Sequence, residues 1–109
     1  MIFSLQIKEE LFSCIGIKIG QLYWSINEDK DINIFGSVSS TTGAAASIPF
    51  RIAGNICDCS GNILYTLHDF SEHTLDPICY EVFHVFCADI SRFIDLDSLS
   101  YVELFPASA

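Results

Sequence analysis

Short apolar runs with a period of two, separated by turn residues, are the feature that most constrains the fold of this chain. Apolar and polar residues alternate most clearly over residues 15–19, 32–38 and 48–57, and the apolar segment 63–68 follows as the partner strand of 48–57. Alternation of this kind gives a strand one apolar face, whereas a helix needs apolar residues three or four apart. About seven to eight such strands at short spacing predict an all-β fold, an antiparallel sandwich. We expect one domain over 1–109, with 1–30 packing on the core formed by 32–105.

Turn residues predict how several of these strands connect. Asp58 and Gly61 between 48–57 and 63–68 are typical of a hairpin turn, because Asp bonds its own backbone and Gly accepts a positive φ. Gly20-Gln21 interrupts 15–26, which predicts a second hairpin with a two-residue turn, or else one bent strand. Residues 6–12 and 89–99 are long enough only for short helical turns.

The last two apolar segments carry their own predictions. Residues 79–88 are apolar on nearly both faces, which is typical of a strand in the middle of a sheet. Residues 99–105 form the final strand, and Pro106 should halt its pairing because proline lacks a backbone N–H.

Charge and hydropathy exclude two classes of partner. The formal net charge is -9, from five Lys and Arg against fourteen Asp and Glu. Such a chain repels phosphate backbones and anionic lipid surfaces, so we expect no nucleic-acid binding. The longest uncharged run, 32–50, is interrupted by polar residues and Pro49, so no membrane span is expected. The chain is expected to be soluble.

Cysteine content and the first residues bear on the compartment. Five cysteines are an odd number, so at least one thiol stays unpaired, which favours a reducing cytoplasm. Buried free thiols are the simpler expectation, and a bridge between Cys57 and Cys87 is the alternative. No secretory signal is recognisable before Lys8. An extracytoplasmic location is the alternative if a leader precedes this sequence.

The order of signals from residue 32 to residue 105 resembles a bacterial family. A glycine-containing strand (34–38) is followed by a loop, by a strand that ends in a turn with Asp58 and Gly61, by a Phe-containing strand (82–86), and by a terminal apolar strand (101–105). This order is similar to that of FxLYD-type immunoglobulin-like domains. The resemblance implies an immunoglobulin-like β-sandwich and implies no catalytic residues. The family's Leu-Tyr-Asp is replaced by Asn55-Ile56-Cys57-Asp58, so only the Asp matches.

Two imidazoles and two carboxylates within six residues form the densest group of potential metal ligands: His68, Asp69, Glu72 and His73. Zinc accepts such ligands, although the His-Glu-x-x-His spacing of metalloproteases is absent. Acidic loops at 28–31, 58–62 and 95–97 offer oxygen ligands for calcium, but none has the spacing of a helix-loop-helix calcium site. A solvated polar loop is the alternative for each segment.

No catalytic motif is recognisable, and no cofactor is predicted. The sequence has no Gly-x-Ser-x-Gly elbow and no glycine-rich phosphate loop. We therefore expect a non-catalytic module that binds a protein partner or forms a homodimer, with Tyr23, Trp24 and Phe35 at its interface. A small zinc- or calcium-binding protein is the second hypothesis, and an acidic decoy that binds a basic protein is the third.

Overall fold

A computed structural model describes residues 3–41, 49–69, 71–74 and 80–108, and it confirms the all-β sandwich. Seven strands form two sheets. The strands, in chain order, are β1 (Ser4–Ile7), β2 (Ile17–Ile26), β3 (Ile32–Ser40), β4 (Phe50–Cys57), β5 (Ile63–His68), β6 (Tyr80–Cys87) and β7 (Tyr101–Ser108).

The strands divide into a four-stranded sheet of order β1-β7-β4-β5 and a three-stranded sheet of order β2-β3-β6. All neighbours are antiparallel except β1, which runs parallel to β7, so the predicted pairing holds with this one exception. Constant-type immunoglobulin domains also divide four and three, but they place the strands in a different order. The immunoglobulin-like part of the prediction therefore stays a prediction.

The hairpin between β4 and β5 is confirmed. Asp58 Oδ1 accepts the backbone N–H groups of Ser60 and Asn62 at 2.9 Å each, and Gly61 has a φ of 86°. These bonds lower the pKa of the Asp58 carboxyl below its ordinary value, chiefly through the side chain and backbone of Asn62. A carboxylate held by its own backbone fixes the turn and the register of both strands.

The predicted hairpin at Gly20-Gln21 is wrong, and the alternative of one bent strand is right. β2 is continuous through Gly20, but its pairing with β3 shifts register between Gly20 and Tyr23. Gln21 takes a φ of 54° within this irregularity. Gly20 and Gln21, residue types that are common in turns, here form a β-bulge, which bends a strand without ending it.

Two further expectations about strands are also wrong. β6 lies at the edge of the three-stranded sheet and not in the middle. β7 continues through Pro106, which lies opposite Ile52 of β4. The pairing of β1 with β7 ends at Leu104, so at Pro106 only β4 pairs with β7. Proline is tolerated at such a position, because its nitrogen can face the side of the strand that has no neighbour.

The helical segments are short, as expected. Helix α1 spans Glu9–Cys14 and buries Phe12, and two 3₁₀ turns span Ile90–Arg92 and Leu96–Ser98. Ile90 is buried, so the first 3₁₀ turn is also tied to the core. None of the described helices is long and apolar enough to cross a membrane.

The core lies between the two sheets and draws apolar side chains from both, including Ile34, Ile52, Ile56, Phe83 and Leu104. Close packing requires a glycine at position 36. A Cβ there would lie 2.5 Å from the Phe83 ring and 2.9 Å from Leu22 Cδ2.

Cysteines contribute little to this core. Among the four cysteines that the structure describes, all are free thiols, and the alternative bridge between Cys57 and Cys87 is absent. Cys57 is buried, whereas Cys14 and Cys59 are exposed, so the expectation of buried thiols holds mainly for Cys57. Cys79 lies outside the described residues.

Candidate functional site

A buried histidine joins the two sheets where β5 ends. Asp69 follows β5 and forms an isolated bridge with Val85 of β6, and His73 forms another with Phe50 of β4. These bridges place the His73 ring between Asp69, which continues the four-stranded sheet, and Glu81, which belongs to β6 of the other sheet. We call these three residues the seam cluster.

Both ring nitrogens of His73 contact carboxylates in the seam cluster. Nε2 lies 2.6 Å from Asp69 Oδ2, and Nδ1 lies 2.6 Å from Glu81 Oε2. An ionised carboxylate can only accept a hydrogen bond, so this geometry suits an imidazolium that donates from both nitrogens. Asp69 Oδ1 also accepts the backbone N–H of Ser71 at 3.0 Å. Burial makes such charge-assisted bonds strong and makes their loss costly.

Accessibility limits what the seam cluster can do chemically. The side chains of His73 and Asp69 are 2% and 3% exposed, whereas that of Glu81 is 41% exposed. Because both nitrogens are occupied within the protein, His73 does not face a position where a bound molecule could exchange a proton with it. The arrangement supports a role in holding the two sheets together.

The predicted metal ligands separate into two groups. Asp69 and His73 come together in the seam cluster, whereas His68 and Glu72 are exposed. Glu72 lies 3.9 Å from the Arg51 guanidinium instead. In the described parts of the chain, no three His, Cys, Asp or Glu side chains are placed to hold a metal ion.

Glu81 is the member of the seam cluster that sequence reasoning missed. It lies eight residues after His73 and belongs to β6, so the spacing within the His68–His73 segment could not reveal it. The available signal was one carboxylate within an otherwise apolar strand, since a charge in such a position needs a polar partner.

Carboxylates in the predicted calcium loops accept hydrogen bonds from backbone N–H groups of the protein itself. Asp58 caps the β4–β5 turn, and Asp95 Oδ1 accepts the backbone N–H of Asp97 at 3.0 Å. Asp31 Oδ1 accepts the backbone N–H of Asp89 at 2.9 Å. Asp58 and Asp95 therefore stabilise local backbone, whereas Asp31 joins two segments that are 58 residues apart in the sequence.

A second feature is the outer face of the three-stranded sheet, where aromatic rings form a row across all three strands. Tyr23 of β2 lies opposite Phe35 of β3, which lies opposite His84 of β6. The rings of Phe35 and His84 stack with centroids 4.0 Å apart, and those of Tyr23 and Phe35 are 6.4 Å apart. Tyr23 is 64% exposed, and Val82 beside the row is 73% exposed. We call this surface the aromatic face.

The aromatic face is almost without charge. Cross-strand register places twelve residues on it, and Lys18 is the only one of them with a permanent charge. The others are Gly20, Tyr23, Ser25, Asn33, Phe35, Ser37, Ser39, Tyr80, Val82, His84 and Phe86. Asn33 Oδ1 lies 2.9 Å from His84 Nε2, which satisfies polar groups within the face. Glu81 faces the opposite side of the sheet, toward His73.

Of the three predicted interface residues, the structure brings two together. Tyr23 and Phe35 lie on the aromatic face, and Trp24 does not, because it lies opposite the buried Ile34. The Trp24 indole Nε1–H donates to the carbonyl of Phe3 at 3.0 Å. Trp24 thus helps to hold Phe3 against β2.

In comparisons with known proteins, no family model, no curated protein and no solved structure matches the chain. The functional argument therefore rests on the geometry of the aromatic face and of the seam cluster.

Proposed function

We propose that the protein is a non-catalytic interaction module that binds a second copy of itself through the aromatic face. The observation that carries this proposal is the exposed row Tyr23, Phe35 and His84 on a surface with a single permanent charge. Aromatic side chains with few charges are typical of the centre of a protein–protein interface.

The distribution of charge favours a second copy as the occupant. Two molecules with a net charge of -9 repel each other, and this repulsion is weakest where the surfaces that meet lack carboxylates. The outward positions of β2, β3 and β6 carry none. Pairing about a twofold axis would place each row against its equivalent and bury apolar groups such as Val82. A basic partner, as in the decoy hypothesis, would instead bind the acidic loops.

The matched variants Val82→Lys and Leu11→Lys test this proposal. Each puts one lysine at an exposed apolar position, the first on the aromatic face and the second on α1. Sedimentation velocity over a range of concentrations should show a dimer for the unchanged protein and for Leu11→Lys. Val82→Lys should be monomeric, because the contact would then desolvate one unpaired lysine from each copy. A monomeric unchanged protein, or a dimer in both variants, would contradict the proposal.

The other hypotheses have their own measurements. Membership in the FxLYD-type family, the immunoglobulin-like strand arrangement and a cytoplasmic location stay predictions. Metal binding through the His68–His73 segment also stays a prediction, and a native mass spectrum of protein purified without chelator tests it, since a bound zinc or calcium ion adds its mass to each chain.

A further inference from the structure

The two sides of the aromatic face carry different kinds of side chain. The face consists of four rungs, each with one residue from β2, one from β3 and one from β6. The rungs are Lys18 with Ser39 and Tyr80, Gly20 with Ser37 and Val82, Tyr23 with Phe35 and His84, and Ser25 with Asn33 and Phe86. The β2 ends are a lysine, a glycine, a tyrosine and a serine, whereas every β6 end is a valine or an aromatic ring.

The first rung has a cation at one end and an exposed aromatic ring at the other. Among the described residues, Lys18 makes no ion pair, and no cation lies over the exposed Tyr80 ring. Ser39 of β3 separates the two side chains within one molecule. An ammonium group over the face of a tyrosine ring is a favourable contact, so each end of this rung suits the opposite end in a second copy.

The second rung has an open position at one end and a projecting side chain at the other. Gly20 has no side chain, and a Cβ built there would lie 3.6 Å from the Ser37 hydroxyl oxygen, which is ordinary contact distance. Val82 is the most exposed large apolar side chain that the structure describes. The space above Gly20 therefore suits a side chain such as Val82 from another molecule.

We propose that a second copy packs on the aromatic face about a twofold axis that runs parallel to the strands, along β3. This inference rests on the proposed function and adds which residues of the two copies recognise each other. Sheets in aligned face-to-face packing keep their strands within about 30° of each other, so the axis runs either along the strands or across them. An axis along the strands places β2 of each copy against β6 of the other.

This axis brings together the unlike ends of each rung. Lys18 lies over the Tyr80 ring of the second copy, and the space above Gly20 receives Val82 of the second copy. An axis across the strands would instead place β2 against β2 and β6 against β6. The two lysines would then lack aromatic partners, and the projecting side chains of both β6 strands would meet each other.

The third rung favours the same axis through hydrogen bonding. His84 Nε2 lies 2.9 Å from Asn33 Oδ1, an oxygen that only accepts, so Nε2 carries the proton of the neutral ring and Nδ1 is an acceptor. With the axis along the strands, the Tyr23 hydroxyl of the second copy faces this imidazole and can donate to Nδ1. Phe35 lies at the middle of the rung and meets its own equivalent.

Mixtures of charge-altered variants test the direction of the axis. Lys18→Glu and Tyr80→Lys change two positions that meet only if the axis runs along the strands. Ser25→Lys is the matched control, because it adds the same charge as Tyr80→Lys but at the far end of β2, which faces Lys18 only if the axis runs across the strands. Sedimentation velocity of each variant alone and of equimolar mixtures measures the dimer fraction.

Lys18→Glu alone and Tyr80→Lys alone should each dimerise at least about tenfold more weakly than the unchanged protein, because a carboxylate then faces a tyrosine ring or two lysines face each other. Their mixture should regain dimer, since the introduced carboxylate and the introduced lysine meet across the contact. The mixture of Lys18→Glu with Ser25→Lys has the same total charge and should show no such gain.

A gain in the control mixture, in both mixtures or in neither would overturn the proposed axis. In these cases a dimer of the unchanged protein would leave the proposed function in place. A monomeric unchanged protein would overturn both the axis and the proposed function.

Discussion

The outer faces of the two sheets expose different kinds of side chain to solvent. On the four-stranded sheet, polar groups satisfy one another: Thr66 Oγ1 donates to Asn55 Oδ1 at 2.7 Å, and Lys8 Nζ lies 3.5 Å from Glu103 Oε2. On the three-stranded sheet, the row of Tyr23, Phe35 and His84 leaves ring surface exposed.

This difference indicates which surface is available for a partner. A face covered by internal hydrogen bonds and ion pairs gains little free energy from association, because its polar groups would lose their contact with water. A face of aromatic rings with one lysine loses little on desolvation and gains from apolar burial. The proposed dimer contact therefore lies on the three-stranded sheet.

The largest expected change in stability comes from removing one of the two carboxylates of the seam cluster, Asp69 from the four-stranded sheet or Glu81 from the three-stranded sheet. Asp69→Asn removes the buried charge on the side of the four-stranded sheet and should lower the free energy of unfolding by about 3–5 kcal/mol. Glu81→Gln acts on the partly exposed side and should cost about 1 kcal/mol or less. Urea denaturation measures both values. Equal losses would show that the two sheets hold His73 equally.

A smaller effect compares one glycine in each sheet. Gly36→Ala in β3 puts a Cβ 2.5 Å from the Phe83 ring and should cost about 1–3 kcal/mol. Gly54→Ala in β4 meets Val102 and Leu104 at 3.1 and 3.3 Å, so these side chains need to move only slightly, and the loss should be smaller. Thermal unfolding of the two variants gives the comparison, and a larger loss for Gly54→Ala would contradict this account of the packing.

The smallest effect concerns one turn in each sheet. Asp58 caps the β4–β5 turn with a carboxylate, whereas Asn27 Oδ1 accepts the backbone N–H groups of Asp29 and Asp31 before β3. The pKa of Asp58 is lowered in the folded protein, so its contribution is complete above the ordinary value of 3.8 and is lost as pH falls through the lowered pKa.

The melting temperature as a function of pH tests this comparison. Asp58→Ala should melt below the unchanged protein at neutral pH, and this difference should shrink as the solution becomes strongly acidic. The difference caused by Asn27→Ala should persist, because the lost amide oxygen does not titrate. A constant difference for Asp58→Ala would show that the carboxylate charge contributes nothing to the turn.

Local chemistry explains which parts of the fold could be predicted. The turn at Asp58 depends on neighbouring residues alone, so the β4–β5 hairpin followed from the sequence. The bulge at Gly20 and the continuation through Pro106 depend on which strand lies alongside, which period-two patterns do not encode. Residues 79–88 are apolar on nearly both faces, which predicts a strand in the middle of a sheet, yet β6 lies at a sheet edge and one of its faces is exposed.

The candidate sites divide in the same way. Tyr23 and Phe35 were recognisable as exposed aromatic residues on strands, and the structure places them side by side. The seam cluster was only partly visible, since Asp69 and His73 are close in sequence but Glu81 is brought to them by the topology.

The most direct test of the central claim is an isotope-filtered NOE experiment on a mixture of labelled and unlabelled protein, which detects only contacts between molecules. The account predicts intermolecular contacts from the rings of Tyr23 and Phe35 and the methyl groups of Val82. Intermolecular contacts that involve Thr66 or Ile63 on the four-stranded sheet, or none at concentrations where the protein sediments as a dimer, would contradict it.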